Sequence, residues 1–306
     1  MTTGPIPMKG FLSMSKNWKG IPGRKAGDTP NTPNHKPEWA EGLSIFDPVF
    51  LGLDETGVPV HVELTYRNLL VGGEPGGGKS VLLNNIVGHA ALCCDAQLVL
   101  IDGKQVELGM WRDVADVFVG NDVNHALTVL RDLQAEMDRR YDWLVARGRR
   151  KIIRTDRVPF VLVVVDEVAF FSATVGTKKT QEEFINLIRD LVARGRAAGV
   201  IMILATQRPS ADIVPTSLRD ICAYRCAFRC TTEASSDIIL GTGWAKQGYD
   251  ATDIPPDNNA RGIGWLLAEG GIPRRFKAAY LTDDDIRRLV ARAKTIRGIS
   301  KRDGAA

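Results

Sequence analysis

The sequence lacks long hydrophobic runs, which excludes protein classes that depend on a membrane-spanning helix. No uninterrupted apolar stretch approaches the roughly 20 residues that such a helix needs. The first residues, MTTGPIPMKGFLSM, contain no continuous apolar segment of the kind found in secretory signals. We therefore expect a cytoplasmic protein without a transmembrane segment or a signal peptide.

Cysteine and histidine are scarce, and their spacing shows no metal-binding pattern. The five cysteines form no CxxC pair, and the four histidines are scattered. Cys222, Cys226 and Cys230 are four residues apart, so on one strand they would share a face with Tyr224 and Phe228. We expect buried free thiols, with a reactive or metal-binding role as the alternative.

The overall composition is that of a globular protein with one large α/β core. Hydrophobic residues make up 44% of the chain and charged residues 25%. The net charge of +4 is too small to predict nucleic-acid binding by itself, because phosphate is bound by a local basic surface. Arginine outnumbers lysine and alanine is frequent, which is typical of GC-rich genomes.

The chain divides into three regions. Residues 1–40 are rich in Pro, Gly, Lys and Asn without apolar periodicity, and they predict a flexible basic arm. Residues 41–281 predict one large domain, which begins with a small strand-rich segment, 41–66, around a turn at 55–57. Residues 282–306 predict a short basic helix and a fraying tail.

Apolar strands and amphipathic helices alternate through the central region. Strands are predicted at 68–71, 97–102, 160–165 and 200–205, and further strands at about 222–229, 262–267 and 276–280. Helices are predicted at about 79–93, 124–147 and 181–197. Near-continuous Val/Ile/Leu strands between helices indicate an α/β fold with a mainly parallel central sheet flanked by helices.

A glycine-rich sequence connects the first of these strands to the first helix. It fits the Walker A pattern as Gly73-Glu74-Pro75-Gly76-Gly77-Gly78-Lys79-Ser80, and Val81 completes the predicted nucleotide-binding set. The glycines let backbone N–H groups face phosphates, Lys79 reaches the β- and γ-phosphates, and Ser80 coordinates Mg²⁺. The helix dipole adds to this. A structural glycine turn is the alternative, but strand, GKS and helix in register predict ATP and Mg²⁺ as cofactors.

Two acidic residues follow the buried strand FVLVVV. A carboxylate at this position is costly unless it holds a cation, so Asp166 is the predicted Mg²⁺ partner beside Ser80. Glu167 is the predicted base that orients and deprotonates the attacking water. The next strand ends at Gln207, whose amide is predicted to sense the γ-phosphate. A strand-end carboxylate that caps a helix is the alternative for this acidic pair.

The order of these motifs favours a RecA-like P-loop ATPase over a GTPase switch. A whole strand, 97–102, lies between Walker A and Walker B, and the predicted base directly follows Asp166. A GTPase needs an N/T-K-x-D sequence after a strand. The nearest string is Ser300-Lys301-Arg302-Asp303 in the C-terminal tail, so we reject that class.

From about Ile45 to Leu281 the chain resembles the motor domain of the FtsK/SpoIIIE DNA translocases. Asp102-Gly103-Lys104, followed by Glu107-Leu108, is similar to the family's IDPK…EL sequence. Glu136 to Tyr141 resembles its EMERRY helix, and 195–210 resembles its ARAAG…ATQRPS stretch. Size, a single motor domain and GC-rich composition are most similar to the short plasmid-transfer proteins of mycelial actinomycetes (TraB/TraSA class).

This resemblance implies a hexameric ring that threads double-stranded DNA, with each ATP site completed by a neighbouring subunit. Arg196 matches the arginine that acts on the adjacent subunit's nucleotide, and a surface arginine on a helix is the alternative. Arg208 and Arg219 match positions that face the central channel. Lys178 and Lys179, in the loop after Walker B, are weaker candidates for the same surface. Such residues contact phosphates, because a motor that moves over any sequence grips the backbone.

The chain also departs from the family pattern. Glu233 to Leu240 follows the strand where relatives carry DSRTIL, with an acid in place of the arginine. Residues 282–306 are too few for the winged-helix module with which many relatives read oriented DNA repeats. The basic cluster 147–157 is interpreted as a solvated helix end, with phosphate binding as the alternative.

The leading hypothesis is an ATP-driven double-stranded DNA translocase that acts in conjugative plasmid or chromosome transfer. Such a protein is expected to form a hexamer and to contact membrane proteins of the transfer apparatus peripherally. One alternative is an FtsK-like protein-secretion motor. Another is a DNA-binding assembly or regulatory protein that uses ATP as a ligand. DNA-stimulated ATPase activity separates the first hypothesis from the other two.

Overall fold

The apolar segments form ten strands of one sheet in a computed structural model that describes residues 42–299. The predicted flexible arm, 1–40, and the end of the tail lie outside the described residues. The strands are β1 (Val49–Asp54), β2 (Pro59–Val62), β3 (Leu69–Gly72), β4 (Ala96–Ile101), β5 (Val117–Val119), β6 (Phe160–Val165), β7 (Val200–Thr206), β8 (Tyr224–Phe228), β9 (Ile263–Ala268) and β10 (Arg274–Ala278).

The sheet is mixed but mostly parallel, as the strand composition predicts. Its order is β2-β1-β10-β9-β8-β3-β7-β6-β4-β5. The six strands from β8 to β5 in this order run parallel to one another, and the remaining pairings are antiparallel. Every residue of β3, β4, β6 and β7 is buried, because packed structure covers both faces of the parallel part.

Six helices accompany the sheet in the described part of the chain. They are α1 (Lys79–Ala91), α2 (Val123–Val145), α3 (Lys178–Arg194), α4 (Thr216–Arg219), α5 (Glu233–Leu240) and α6 (Asp283–Ile296). The short elements β5, α4 and α5 were not predicted, since each is too brief to show a clear period. Between residues 42 and 299, none of the helices has the length and apolarity to cross a bilayer.

Helix α3 begins and ends earlier than predicted. Thr177 caps its first turn, since the hydroxyl of Thr177 accepts a hydrogen bond from the Thr180 N–H at 3.3 Å. The helix ends at Arg194, and the Gly195 N–H donates to the Leu191 carbonyl. Lys178 and Lys179 therefore lie in a helical turn and not in a loop, and Arg196 lies beyond the helix. Both placements correct the sequence prediction.

The strand-rich segment 41–66 is part of the main sheet. Its strands β1 and β2 flank the predicted turn at 55–57, and β1 pairs with β10 through Gly52 and Ala278. A side chain at Gly52 would place its Cβ 2.0 Å from the Lys277 carbonyl oxygen, so only glycine permits this approach. The segment thus adds the antiparallel edge of the sheet.

The cysteines are free thiols, but they do not share one face. Cys226 lies inside β8 and packs in the same core as Tyr224 and Phe228. Cys222 and Cys230 lie just outside β8 and pack in the other core. The predicted common face is wrong because strand alternation stops where the strand ends. Burial raises the pKa of Cys222 and of Cys230 to about 12, which keeps both thiols protonated and unreactive.

The helix α6 is anchored to α1, the helix that follows the glycine loop. Ile286 and Ala293 of α6 are buried in the core that also contains most of α1. Beyond the helix, the Arg297 guanidinium donates to the Ala90 and Ala91 carbonyls at 2.9 and 2.8 Å. It also pairs with Asp116 at 3.0 Å. Helix α6 is therefore packed into the same domain as the sheet.

Candidate active site

The predicted site residues follow the carboxyl ends of adjacent strands in the sheet. Strands β3, β7, β6 and β4 are adjacent and parallel, so their carboxyl ends lie together. The glycine loop follows β3, Asp166 and Glu167 follow β6, Gln207 follows β7, and Asp102 follows β4. Ligands of parallel α/β sheets bind at this edge, outside the carboxyl ends of the strands.

The glycine loop needs its glycines for both conformation and space. Gly76 and Gly78 have φ angles of 78° and 126°, in the region that side chains disfavour. A Cβ on Gly78 would lie 2.5 Å from the Gly262 Cα. The Gly262 N–H donates to the Gly77 carbonyl at 3.0 Å, which ties the loop to the start of β9. The loop can therefore curl with its backbone close to a ligand.

The start of α1 has the properties of an anion site. Gly78 supplies no side-chain cap, so no side chain competes for the first N–H groups of α1. Lys79 is 4% exposed, and its ammonium donates to the Gly73 carbonyl at 3.0 Å and to the Glu74 carbonyl at 3.4 Å. Burial lowers the pKa of Lys79, while Glu167 and Asp166 act in the opposite direction. The loop carbonyls hold the ammonium inside the glycine cradle.

Asp166 has an unsatisfied carboxylate oxygen. The side chain is 2% exposed, and its Oδ2 is buried without a hydrogen-bond partner among the described residues. Burial raises the pKa of Asp166 to about 7, with further contributions from Asp102 and Glu107. A buried carboxylate is stable when it pairs with a cation, so this oxygen fits a metal ligand. Within residues 42–299, no three His, Cys, Asp or Glu side chains form a metal site of their own.

Glu167 is held firmly in place. Its Oε1 accepts hydrogen bonds from the Thr206 hydroxyl at 2.7 Å and from the Ala169 N–H at 3.2 Å. Its Oε2 accepts one from the Gln207 N–H at 2.7 Å. The carboxylate is 7% exposed, so it faces a nearly closed space. Two neighbouring carboxylates thus have different environments, one unpartnered and one anchored to the next strand.

Sequence reasoning missed two residues of this network. Thr206, fully buried at the end of β7, anchors Glu167. The Lys104 ammonium donates to the Gln207 side-chain oxygen at 3.3 Å, so it lies beside the predicted γ-phosphate sensor. Both residues stand inside family-like motifs, ATQ and IDGK, but nothing in the local pattern indicates these contacts.

Two arginines beside the glycine loop were also missed. Arg229 follows β8 and pairs with the Glu74 carboxylate at 3.2 Å. Arg261 precedes β9, and its Nε donates to the Gly76 carbonyl at 3.2 Å. They border a cleft of about 100 Å³ that Pro255 and Pro256 also line. Asp257 also lines this cleft, so the two arginines lie beside the glycine loop among acidic partners.

Arg196 lies near the amino ends of the parallel strands, away from the candidate site. It precedes β7, whereas Gln207 follows it, and the seven residues of that strand span about 23 Å. The Arg196 Nε donates to the Tyr66 carbonyl at 2.5 Å, and the side chain is 40% exposed. Arg196 therefore does not reach the site of its own chain.

The predicted DNA-contact residues differ in accessibility. Arg208 is exposed directly after β7, and Lys178 and Lys179 are exposed in the first turn of α3. Arg219 is 9% exposed, and its guanidinium donates to the Asp220 carboxylate at 2.7 Å. That Arg219 faces a channel stays a prediction, and its packing leaves it much less exposed than Arg208.

Several residues of the basic cluster 147–157 contact aromatic and acidic side chains of the same chain. Arg147 stacks over Trp143 at 4.4 Å, and Lys151 lies over Tyr66 at 4.3 Å. Arg149 pairs with Asp156. These contacts agree with the interpretation of a solvated helix end.

The position of the two carboxylates in the sheet defines the class of protein. One strand, β7, separates the glycine-loop strand β3 from the carboxylate strand β6. This order brings the anchored Glu167 and the unpartnered Asp166 to the glycine cradle. The chain is a P-loop ATPase of the RecA-like type.

Comparisons with known proteins then give the family. Residues 46–158 match the FtsK/SpoIIIE family. The DNA translocase FtsK of Pseudomonas aeruginosa (strain PAO1) is 31% identical over 294 residues, which are 83% of this chain and 34% of that protein. This chain carries a domain of the FtsK/SpoIIIE family. It spans about a third of the length of the curated relatives it matches.

Two solved structures share the fold. TcpA, the conjugation coupling protein of pCW3, solved as a monomer with ATPγS, has a TM-score of 0.66 at 20% identity. That match covers 84% of this chain and 75% of TcpA. The cytoplasmic domain of the type VII secretion ATPase EccC of Thermomonospora curvata has a TM-score of 0.64 at 23% identity, over 85% of this chain and 32% of that domain. Identities this low establish the fold alone.

Proposed function

We propose that this chain is the motor of an ATP-driven double-stranded DNA translocase that acts in conjugative plasmid transfer. The observation that carries the proposal is the pair of unlike carboxylates, Asp166 and Glu167, opposite the glycine cradle. A protein that used ATP only as an assembly ligand would not need an anchored base beside an unpartnered metal ligand. The DNA substrate is supported by relatives that are named DNA translocases.

Each predicted site residue has a role that its surroundings support. The glycine loop and Lys79 bind the phosphates, and Val81 adds the last contact of the loop set. Asp166 and Ser80 would hold Mg²⁺, which would supply positive charge beside the phosphates. Glu167 orients water and accepts its proton. Gln207 is the proposed γ-phosphate sensor, and its own N–H donates to Glu167. The sensor and the base are therefore held together.

Grip on DNA is assigned to three exposed cations, Arg208, Lys178 and Lys179. Arg208 follows Gln207 directly, so a movement of the sensor is transmitted to it through one peptide bond. Lys178 and Lys179 add positive charge at the start of α3. Contacts to phosphate are independent of sequence and weaken with salt, which suits a motor that moves over any DNA.

The active assembly is proposed to be a hexameric ring. Arg196 lies about 23 Å from the carboxyl edge of its own sheet, and it acts on the nucleotide of the next subunit. A head-to-tail interface brings opposite edges of two copies together and closes into a ring. We place this ring in the cytoplasm, recruited peripherally by membrane proteins of the transfer apparatus.

A protein-secretion motor is the second candidate, because the EccC structure shares the fold. The two functions differ in what stimulates the ATPase. We expect duplex DNA of any sequence to raise ATP turnover severalfold, and negative-stain images of the stimulated protein to show rings. ATP turnover that does not change when duplex DNA is added would contradict the DNA-translocase proposal and leave protein secretion as the better one.

A further inference from the structure

The loop that follows β4 brings a second lysine to the nucleotide site. Asp102, fully buried at the end of β4, accepts backbone hydrogen bonds from Lys104 at 3.0 Å, Gln105 at 2.8 Å and Leu108 at 2.9 Å. These bonds fold the loop back on the strand end. The backbone of Lys104 is therefore fixed, although its side chain is exposed.

The side chain of Lys104 reaches across one strand, β6, to the end of β7. Strands β6 and β7 follow β4 in the sheet, and the Lys104 ammonium donates to the Gln207 side-chain oxygen at 3.3 Å beyond the end of β7. The Gln207 N–H in turn donates to Glu167 at 2.7 Å. Lys104 thus belongs to the same network as the proposed base, from the side opposite the glycine loop.

Two ammonium groups converge on this site. Burial is the main cause that lowers the pKa of Lys79, and the charge of Lys104 contributes in the same direction. Lys104 makes no ion pair with any carboxylate of the described chain, and its one side-chain hydrogen bond goes to a neutral amide. The carboxylates of Glu167, Asp166 and Glu107 raise the pKa of Lys79, so the two ammonium groups belong to one site of mixed charge, in which Lys104, without an ion pair, can bind a phosphate anion.

We propose that Lys104 is a phosphate-contacting catalytic residue, supplied by the same chain, that binds the terminal phosphate of ATP. The ammonium exchanges the Gln207 oxygen for a γ-phosphate oxygen, which frees the Gln207 side chain to face the attacking water. A cation at this place stabilises the charge that gathers on the equatorial γ-oxygens during phosphoryl transfer. This inference rests on the proposed ATPase function.

Lys104 should strengthen the binding of ATP but not of ADP, because ADP lacks the phosphate that Lys104 binds. The test measures the affinity of the full chain for Mg·ATPγS and for Mg·ADP by calorimetry without DNA. Lys104→Met keeps the apolar stem and removes the charge. We expect it to lose about 10- to 100-fold in ATPγS affinity, with ADP affinity unchanged, because a charge-assisted hydrogen bond is removed. Lys104→Arg is expected to retain part of the preference.

Two further variants separate direct phosphate contact from an effect of net charge or of Gln207. Lys246→Met removes an exposed lysine elsewhere and controls for net charge. Lys104→Met in a Gln207→Ala background tests whether the effect passes through Gln207. Loss of ATPγS affinity that persists in this background supports direct contact with phosphate. An equal loss for both nucleotides, or a loss that disappears without Gln207, overturns the assignment and leaves Lys104 as a residue that only positions Gln207.

The outcome for the wild-type protein distinguishes this inference from the proposed function. If wild type binds ATPγS more tightly than ADP and Lys104→Met preserves that preference, only the Lys104 assignment fails. If wild type binds neither nucleotide, the ATPase function fails and the inference falls with it.

Discussion

The hydroxyl of Thr206 donates a 2.7 Å hydrogen bond to the carboxylate of Glu167, and it joins the ends of β7 and β6. Both side chains are buried, so the bond fixes one oxygen of the base while the Gln207 N–H fixes its other oxygen. We expect Thr206→Val, which keeps the shape but removes the donor, to lower kcat for ATP roughly 10- to 100-fold. KM should change little, because nucleotide binding uses other residues. Thr206→Ser should restore activity, and equal kcat in the valine variant would contradict the positioning role.

Removal of the proposed base tests the chemistry directly. Glu167→Gln keeps the volume and one acceptor oxygen but removes the negative charge, so nucleotide binding should persist while turnover falls by about 100-fold or more. Lys79→Ala should instead lose binding, since its ammonium occupies the glycine cradle. Binding is measured by calorimetry and turnover by phosphate release. Normal turnover in Glu167→Gln would remove Glu167 from the mechanism.

Asp166 predicts an unusual dependence of stability on pH. Its pKa is raised from 3.8 to about 7, mainly by burial, so the folded protein holds a proton that the unfolded chain has released between these values. Stability therefore falls as pH rises through this window and stays lower above it. Asp166→Asn should gain about 1–4 kcal/mol in free energy of unfolding at pH 8, and little at low pH.

Denaturant unfolding at pH 5 and pH 8 in EDTA, without nucleotide, measures this effect. Mg·ATPγS should restore the stability of wild type at pH 8 and do less for Asp166→Asn. If the asparagine variant is no more stable than wild type at pH 8, the Asp166 carboxylate is not an uncompensated buried charge.

Arg208 tests the grip on DNA. Arg208→Ala should weaken binding to duplex DNA and reduce DNA stimulation of the ATPase. It should also flatten the dependence of affinity on salt, because fewer counterions are released from DNA when one phosphate contact is missing. Arg150→Ala is the matched control, since Arg150 is exposed and lies two residues before Ile152, whose N–H donates to the Ala197 carbonyl ahead of β7. An equal effect of the two substitutions would show that only overall charge matters. Strong preference for one oligonucleotide at high salt would contradict a backbone grip.

Arg196 tests action between subunits. Arg196→Ala should bind ATP and assemble but hydrolyse poorly, since a trans arginine is worth several orders of magnitude in related phosphoryl transfer. Mixed with Glu167→Gln subunits, it should recover part of the activity, because some sites then combine an intact Glu167 with an intact neighbouring Arg196. No recovery in rings shown to be mixed would end the trans assignment, provided that titration with wild-type subunits rules out a need for several intact sites.

The local elements followed from the sequence because their signals are local. Strands β3, β4, β6 and β7 were predicted to within about two residues from unbroken apolar runs. The glycine loop, with Lys79 and Ser80, was predicted from spacing alone, because the backbone curl needs glycine at set positions. The acidic pair was predicted from its place after a buried strand. These features depend on a few consecutive residues, and any fold that contains them places them alike.

The tertiary structure decided which residues meet across the sheet. Thr206 and Gln207 contact Glu167 from about 40 positions further along the chain, and Lys104 reaches Gln207 across more than twice that separation. These contacts depend on strand order, which periodicity does not encode. Burial of Arg219 likewise depends on how α4 packs, so an arginine that looked free in sequence is withdrawn from solvent. The sequence determined the chemical groups of the site, and the strand order determined which of them act together.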